Sequence, residues 1–155
     1  METQIDINEI VICPLSNKAI IPTLGSEQAT GYDLYAAEIR GPDEHGITTV
    51  CTNLSMVPPV GFYIEIVPRS SLHAKGFIIV NAPGIIDRDY TGEIFVKLLD
   101  FRKDNPDTIK AGERFAQIII RECLNGKFGP FKIVDNLDNF KTARGSNGFG
   151  STGLF

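Results

Sequence analysis

The chain has 155 residues, 43% of them hydrophobic, with two histidines, three cysteines and a formal net charge of -4. That length and apolar content suit one domain whose core needs neither disulfides nor a structural metal. The acidic balance argues against a general nucleic-acid binder, which needs a basic face to neutralise phosphates, and His45 and His73 without a Cys-x-x-Cys pair leave a closed zinc site almost without ligands. The N-terminal METQIDINEI lacks a basic region followed by an apolar run, no stretch approaches membrane-spanning length, and Cys13, Cys51 and Cys123 are odd in number and widely spaced. An intracellular protein, cytoplasmic or nuclear, with buried and reduced thiols is the expectation.

In chain order, EIVICPL, GYDLYAAEI, GITTVCTNLSMV, GFYIEIV, FIIVNAP, GEIFVKLLDF, RFAQIII and FKIVD are short runs rich in Ile, Val, Phe and Tyr, punctuated by Gly, Pro and Asn. Such a rhythm predicts an all-β protein, with a sandwich, a jelly roll or a barrel as the options. No window long enough for a multi-turn helix carries apolar residues at i, i+3, i+4 and i+7. SSLHAKG alone predicts one short helical turn, closed by Gly76. There is no internal repeat, and composition shifts only near Asn139, which divides the chain into a β domain over 1–138 and a glycine-rich arm over 139–155. GFGSTG in the arm satisfies G-x-G-x-x-G, but only Leu154 and Phe155 follow it. Without a helix to aim at a pyrophosphate, the dinucleotide-binding reading fails.

Five places gather polar chemistry at turns between strands, where sites usually sit. Asp33 is the lone acid in GYDLYAA, for which an exposed strand face is the plain alternative. In PRSSLHAKG, Arg69 leads Ser70 and Ser71 into the helical turn, where a guanidinium, hydroxyls and backbone N–H groups suit a phosphate; either serine serves equally as an N-cap. NAPGIIDRDYTGEI has the Asn and Gly of a hairpin, with Asp87, Asp89 and Tyr90 near its far side, although acids there also form simple turns. In RFAQIII, alternation places Gln117 on the face of Phe115 and Ile119, and an inward amide needs a partner, for which a ligand is one candidate. The fifth place is the arm. ARGSNGFGSTGLF has the composition of an ordinary disordered terminus, yet it carries a cation, hydroxyls and a ring.

In this order the five segments resemble the five motifs of the homotrimeric dUTPases. The resemblance runs from Gly31 to Gly153, and RGSNGFGSTG and GIIDRDYTGEI are its most specific parts. It implies a β-pinwheel jelly roll with a flexible C-terminal arm, and a magnesium-dependent dUTP diphosphatase that limits uracil incorporation into DNA and supplies dUMP for dTTP synthesis. Water attacks the α-phosphorus of dUTP to give dUMP and pyrophosphate. It further implies a homotrimer whose arms close over nucleotides in sites shared between subunits.

By the same resemblance, Asp87 orients and activates the attacking water, which suits a hydrogen-bond acceptor while cations handle the phosphate charge. Tyr90 packs on the deoxyribose and leaves no room for a 2'-hydroxyl. Asn81 and the backbone from Gly84 to Ile86 pair with uracil, and a fixed donor and acceptor pattern there excludes the amino group of cytosine. Arg69, Ser70 and Gln117 match phosphate contacts, with Ser71 beside them, and Asp33 matches a carboxylate that reaches Mg2+ through water. In the arm, Arg144, Ser151 and Thr152 match γ-phosphate contacts, Gly150 lends its backbone to wrapping the phosphates, and Phe149 stacks over uracil. Binding then supplies the order that the free arm lacks.

Departures from the family pattern are few. Ser71 stands where the pattern has Gly, which affects the shape of that turn or a backbone contact, and Asn147 replaces a Gly in the usual RGSGGFGSTG, a mild change because Asn tolerates left-handed angles. The segment from Lys75 to Asn81 varies in length within the family. RSSL is also similar to the matching segment of the dCTP deaminases, which share the fold. Aligning IDRDYTGEIFVK on their pattern places Lys97 where their acid/base glutamate stands, so the proton shuttle is missing. A binding module without turnover is a third reading, against which Asp87, Arg69, Gln117 and the arm argue.

Overall fold

Alternation along the strands sets the architecture. The structure, a computed structural model, describes residues 8–102, 104, 107–125, 127–129, 131–140, 142, 143 and 146. In β7 (Phe62–Pro68), Ile64 and Ile66 are buried while Tyr63, Glu65 and Val67 face outward, and in β10 (Phe95–Asp100) the inward pair is Val96 and Leu98. Together with Leu34, Val50, Leu54, Met56, Ile94, Phe115 and Ile118 they form one core.

Among the described residues three antiparallel sheets enclose it. β1 (Val11–Pro14) pairs with β6 (Leu54–Val57). A four-stranded sheet runs β4 (Glu38–Arg40), β5 (Ile47–Cys51), β10, β8 (Phe77–Ile79). The third runs β2 (Thr23–Leu24), β3 (Tyr32–Tyr35), β11 (Arg114–Glu122), β7, β9 (Gly84–Ile86). The all-β jelly-roll expectation is met, and among the described residues no helix is long and apolar enough to cross a membrane.

Two runs that read as single strands are each bent into two. GYDLYAAEI becomes β3 and β4. Ala36 donates its N–H to Glu113 O (2.9 Å), beside the five-stranded sheet, and Ala37 donates to Cys51 O (2.8 Å) in the four-stranded one. Both alanines are buried, so the chain crosses between layers where side chains are small. GITTVCTNLSMV becomes β5 and β6 around Asn53, which sits at φ 53, a left-handed angle that asparagine tolerates. SSLHAKG forms the expected turn, a 3-10 helix over Leu72–Lys75 closed by Gly76 at φ 83.

FKIVD forms no strand. Phe131 and Ile133 are 102% and 94% exposed, because nothing among the described residues pairs with this backbone. The thiols also differ from expectation: Cys51 alone is buried, Cys123 is intermediate and Cys13 is exposed. Burial pushes the Cys51 thiol above its usual pKa. Brief treatment of the folded protein with iodoacetamide is therefore expected to label Cys13 first and to spare Cys51 until unfolding. Early label on Cys51 in a mass-spectrometric time course would contradict this packing.

Candidate active site

The register of the five-stranded sheet brings the first group of residues together. Gln117 lies opposite Asp33 on β3 and opposite Val67 on β7, two residues before Arg69. Arg114 then pairs with Tyr35 and Ala116 with Leu34, so Phe115 is the extra residue of a bulge. The bulge reverses the alternation. Phe115 turns into the core with Ala116 and Ile118, while Arg114 joins the outward face of Gln117. The expected grouping of Gln117 with Phe115 fails for this reason, and Gln117 keeps only Ile119 of the two.

Asp33 is the hub. Its side chain is 2% exposed; Oδ1 forms an ion pair with Arg69 Nε (2.9 Å) and accepts from Gln117 Nε2 (3.2 Å), and Oδ2 accepts from Arg114 Nη1 (3.1 Å). Arg69 Nη1 also donates to Arg114 O at 3.1 Å. A carboxylate buried at this level needs such partners, and here it fixes the directions of two guanidinium groups. One negative charge against two positive ones leaves the cluster cationic. The cluster opens on a cleft of about 380 Å³ whose lining includes Arg69, Ser71, Lys75, Glu113 and Arg114. Lys75 and Glu113 form an ion pair across it. Ser70 and Ser71 are exposed beside Arg69; Ser71 takes the N-cap position, but its hydroxyl makes no capping bond and is left to the cleft.

Both Asp33 oxygens are taken by N–H donors, and the described residues contain no group of three or more His, Cys, Asp or Glu able to hold a metal. In this structure the Asp33 carboxylate holds Arg69, Arg114 and Gln117 in place.

The second group lies along β9 and its flanks. The hairpin expected at NAPG is instead a crossing between sheets, because β8 pairs with β10 whereas β9 pairs with β7. Asn81 ties that crossing to β10: Lys97 N–H donates to Asn81 Oδ1 (2.9 Å), and Asn81 Nδ2 donates to Phe95 O (3.4 Å). Its side-chain amide is thus engaged with backbone, and polar groups for a base fall to the main chain nearby. Gly84 packs closely, since a Cβ there would come within 3.1 Å of Ile66 Cβ. Ile86 is half-buried and pairs with Ile64. Beyond it the chain turns, with Tyr90 N–H donating to Asp87 O at 3.1 Å. Asp87 is exposed and lines a cleft of about 540 Å³ with Arg88, Asp89, Phe62, Tyr63 and Cys123.

The two groups do not meet within one chain. Asp87 follows Ile86, which faces Ile64, whereas Gln117 and Asp33 lie at the level of Val67. At strand spacings this places Asp87 about 13 Å along and about 14 Å across the sheet from Asp33. Arg144, Phe149, Gly150, Ser151 and Thr152 lie outside the described residues. Sequence reading missed Arg114, because its approach to Asp33 depends on the bulge; the one available signal was a second cation three residues before Gln117.

The dUTPase family model matches residues 17–153. The deoxyuridine 5'-triphosphate nucleotidohydrolase of Candida albicans is 41% identical over 138 residues, covering 89% of this chain and 84% of its own. Among solved structures, a variant dUTPase of Staphylococcus bacteriophage 80alpha with dUpNHpp superposes with a TM-score of 0.77 at 24% identity, covering 95% of this chain and 99% of its own. A variant dUTPase from phage phi11 of S. aureus, described with a coordinated structural Mg(II) ion, has a TM-score of 0.66 at 22% identity and covers 83% and 98%. With the match spanning the whole Asp33 cluster and the Asp87 turn, the chain belongs to the dUTPase family.

Proposed function

We propose that this protein hydrolyses dUTP to dUMP and pyrophosphate in sites assembled between the subunits of a homotrimer. The observation that carries the reading is the division of the site into two halves. A cationic cluster of Arg69, Arg114 and Gln117, braced by Asp33, suits a triphosphate, and a separate edge carries Asp87, Tyr90 and the 81–86 backbone. Asp87 and the Asp33 cluster stand apart in one chain, and a nucleotide can lie between the cluster of one subunit and the edge of another. The exposed apolar side chains of Phe128, Phe131, Ile133, Leu137 and Phe140 support assembly, since such a run needs cover.

In this reading the Asp87 carboxylate accepts a proton from the water that attacks the α-phosphorus, and Arg69, Arg114 and Gln117 hold the phosphates that become pyrophosphate. Tyr90 lies against the sugar and excludes a 2'-hydroxyl. Magnesium would enter as the counter-ion of the triphosphate, with Asp33 the residue that would reach it through water. Residues 1–138 form the β body and 139–155 the arm that closes over the nucleotide, through Arg144, Phe149 and the Gly150–Thr152 segment. The compartment is intracellular.

Deamination is the competing chemistry on this fold. Lys97 Nζ donates to Thr49 Oγ1 (2.7 Å), so the position that would need an acid/base carboxylate holds a cation turned toward β5. Incubation with dUTP or dCTP and magnesium is expected to release pyrophosphate from dUTP and no ammonia from dCTP. Ammonia from dCTP, or no turnover of dUTP, would reject the proposal.

A further inference from the structure

Tyr90 is 42% exposed, yet its ring is not free to swing. A Cβ built on Gly92 would lie 2.6 Å from Tyr90 Oη, 2.7 Å from Cζ and 3.0 Å from Cε2, so the tip of the ring rests on the bare backbone of Gly92. Non-bonded carbons ordinarily keep about 3.5 to 4.0 Å apart. The ring is also tethered, because Oη donates to Glu93 O at 2.7 Å.

The backbone under the ring is fixed from below. Glu93 Oε1 accepts from Asn53 N–H (2.9 Å) and Asn53 Nδ2 (3.3 Å), Ser55 Oγ donates to Thr91 O (2.8 Å), and Ile94 N–H donates to Leu54 O (2.9 Å). The stretch 91–94 is thereby tied to the β5–β6 turn by these four hydrogen bonds, and Tyr90 lies on that supported backbone. Gly92 does not have a positive φ, so its backbone accepts alanine without strain of that kind. The three nearest atoms to an added methyl all belong to Tyr90.

We infer that Gly92, with the Glu93 carbonyl, is a specificity-determining seat that holds the Tyr90 ring at the angle from which it excludes a ribose hydroxyl. The inference rests on the proposed contact of Tyr90 with the sugar. Gly92 acts through Tyr90 and is a positioning residue, so an added methyl should unseat the ring without removing it.

The test compares kcat/KM for UTP and dUTP in the wild type, Tyr90→Ala, Gly92→Ala and the double variant. Exclusion of a single hydroxyl by shape is worth up to about 100-fold, so Tyr90→Ala is expected to raise the UTP:dUTP ratio by about 10- to 100-fold and Gly92→Ala by about tenfold or more. Because Gly92 works only through the ring, the double variant should match Tyr90→Ala. An unchanged ratio in Tyr90→Ala would reject the sugar contact itself. A raised ratio in Tyr90→Ala with a wild-type ratio in folded Gly92→Ala would overturn the seat alone, as would an undiminished Gly92→Ala effect in the Tyr90→Ala background. Should Gly92→Ala not fold, as judged by circular dichroism, Tyr90→Phe carries the test. It keeps the ring and removes the tether, so a raised ratio supports the seat and a wild-type ratio overturns it.

Discussion

Asp87→Asn is expected to keep affinity for a non-hydrolysable dUTP analogue within a few-fold of wild type while turnover falls by about two to four decades, the usual scale for a positioned acid/base group. The structure makes the substitution a clean one. The turn at Asp87 is held by its main chain, through Tyr90 N–H to Asp87 O and the pairing of β9 with β7, so the carboxylate has no structural bond to lose there. Among the described residues it has no hydrogen-bond or ion-pair partner, in contrast to Asp33 with its three. Asparagine preserves shape and one acceptor oxygen but cannot take the proton of an attacking water. Single-turnover kinetics beside equilibrium binding separate the possibilities. Near wild-type turnover would remove Asp87 from the water-activating role, and a parallel loss of binding would make it a ligand for the nucleotide instead.

How far the sequence reveals such a site depends on what its composition encodes. Composition made β7 and β10 legible as the runs GFYIEIV and GEIFVKLLDF, because strands gather Ile, Val, Phe and Tyr between turn formers. It carries no label for which sheet a strand joins. The crossings at Ala36–Ala37, at Asn53 and at 80–83 were therefore read as strand interior or hairpin, although each moves the chain between layers. Chemistry-bearing residue types were legible: Arg69, Gln117 and Asp33 were singled out, and they meet in one network. Their geometry was not legible. A single inserted residue, Phe115, decides that Arg114 belongs to the network and that Phe115 does not face Gln117. The burial of Asp33 between two guanidinium groups, which braces them, is likewise something a one-dimensional reading cannot register.

Subunit sharing leads to the second large effect, the recovery of activity from two inactive proteins. If the phosphate cluster and Asp87 serve the same nucleotide from different chains, Asp87→Asn and Arg69→Ala spoil opposite halves of each site. Every site in either homotrimer is then defective, one lacking the base and the other a guanidinium that both faces the cleft and braces Asp33. In a mixed trimer, one contact of the three joins an intact Asp87 from the Arg69→Ala chain to an intact cluster from the Asp87→Asn chain. With random closed assembly of equal amounts, about three quarters of trimers are mixed and about a quarter of all sites are repaired. Co-refolding is thus expected to restore about a quarter of wild-type turnover, far above either parent. Combining the two folded trimers on ice should restore little, since repair requires chains to exchange. Differential affinity tags on the two chains would verify that mixed trimers form. Verified mixed trimers without recovery would mean that Asp87 and Arg69 act within one subunit, and the separation of about 13 Å along and 14 Å across the sheet would then have to close by a movement of β9 relative to β3.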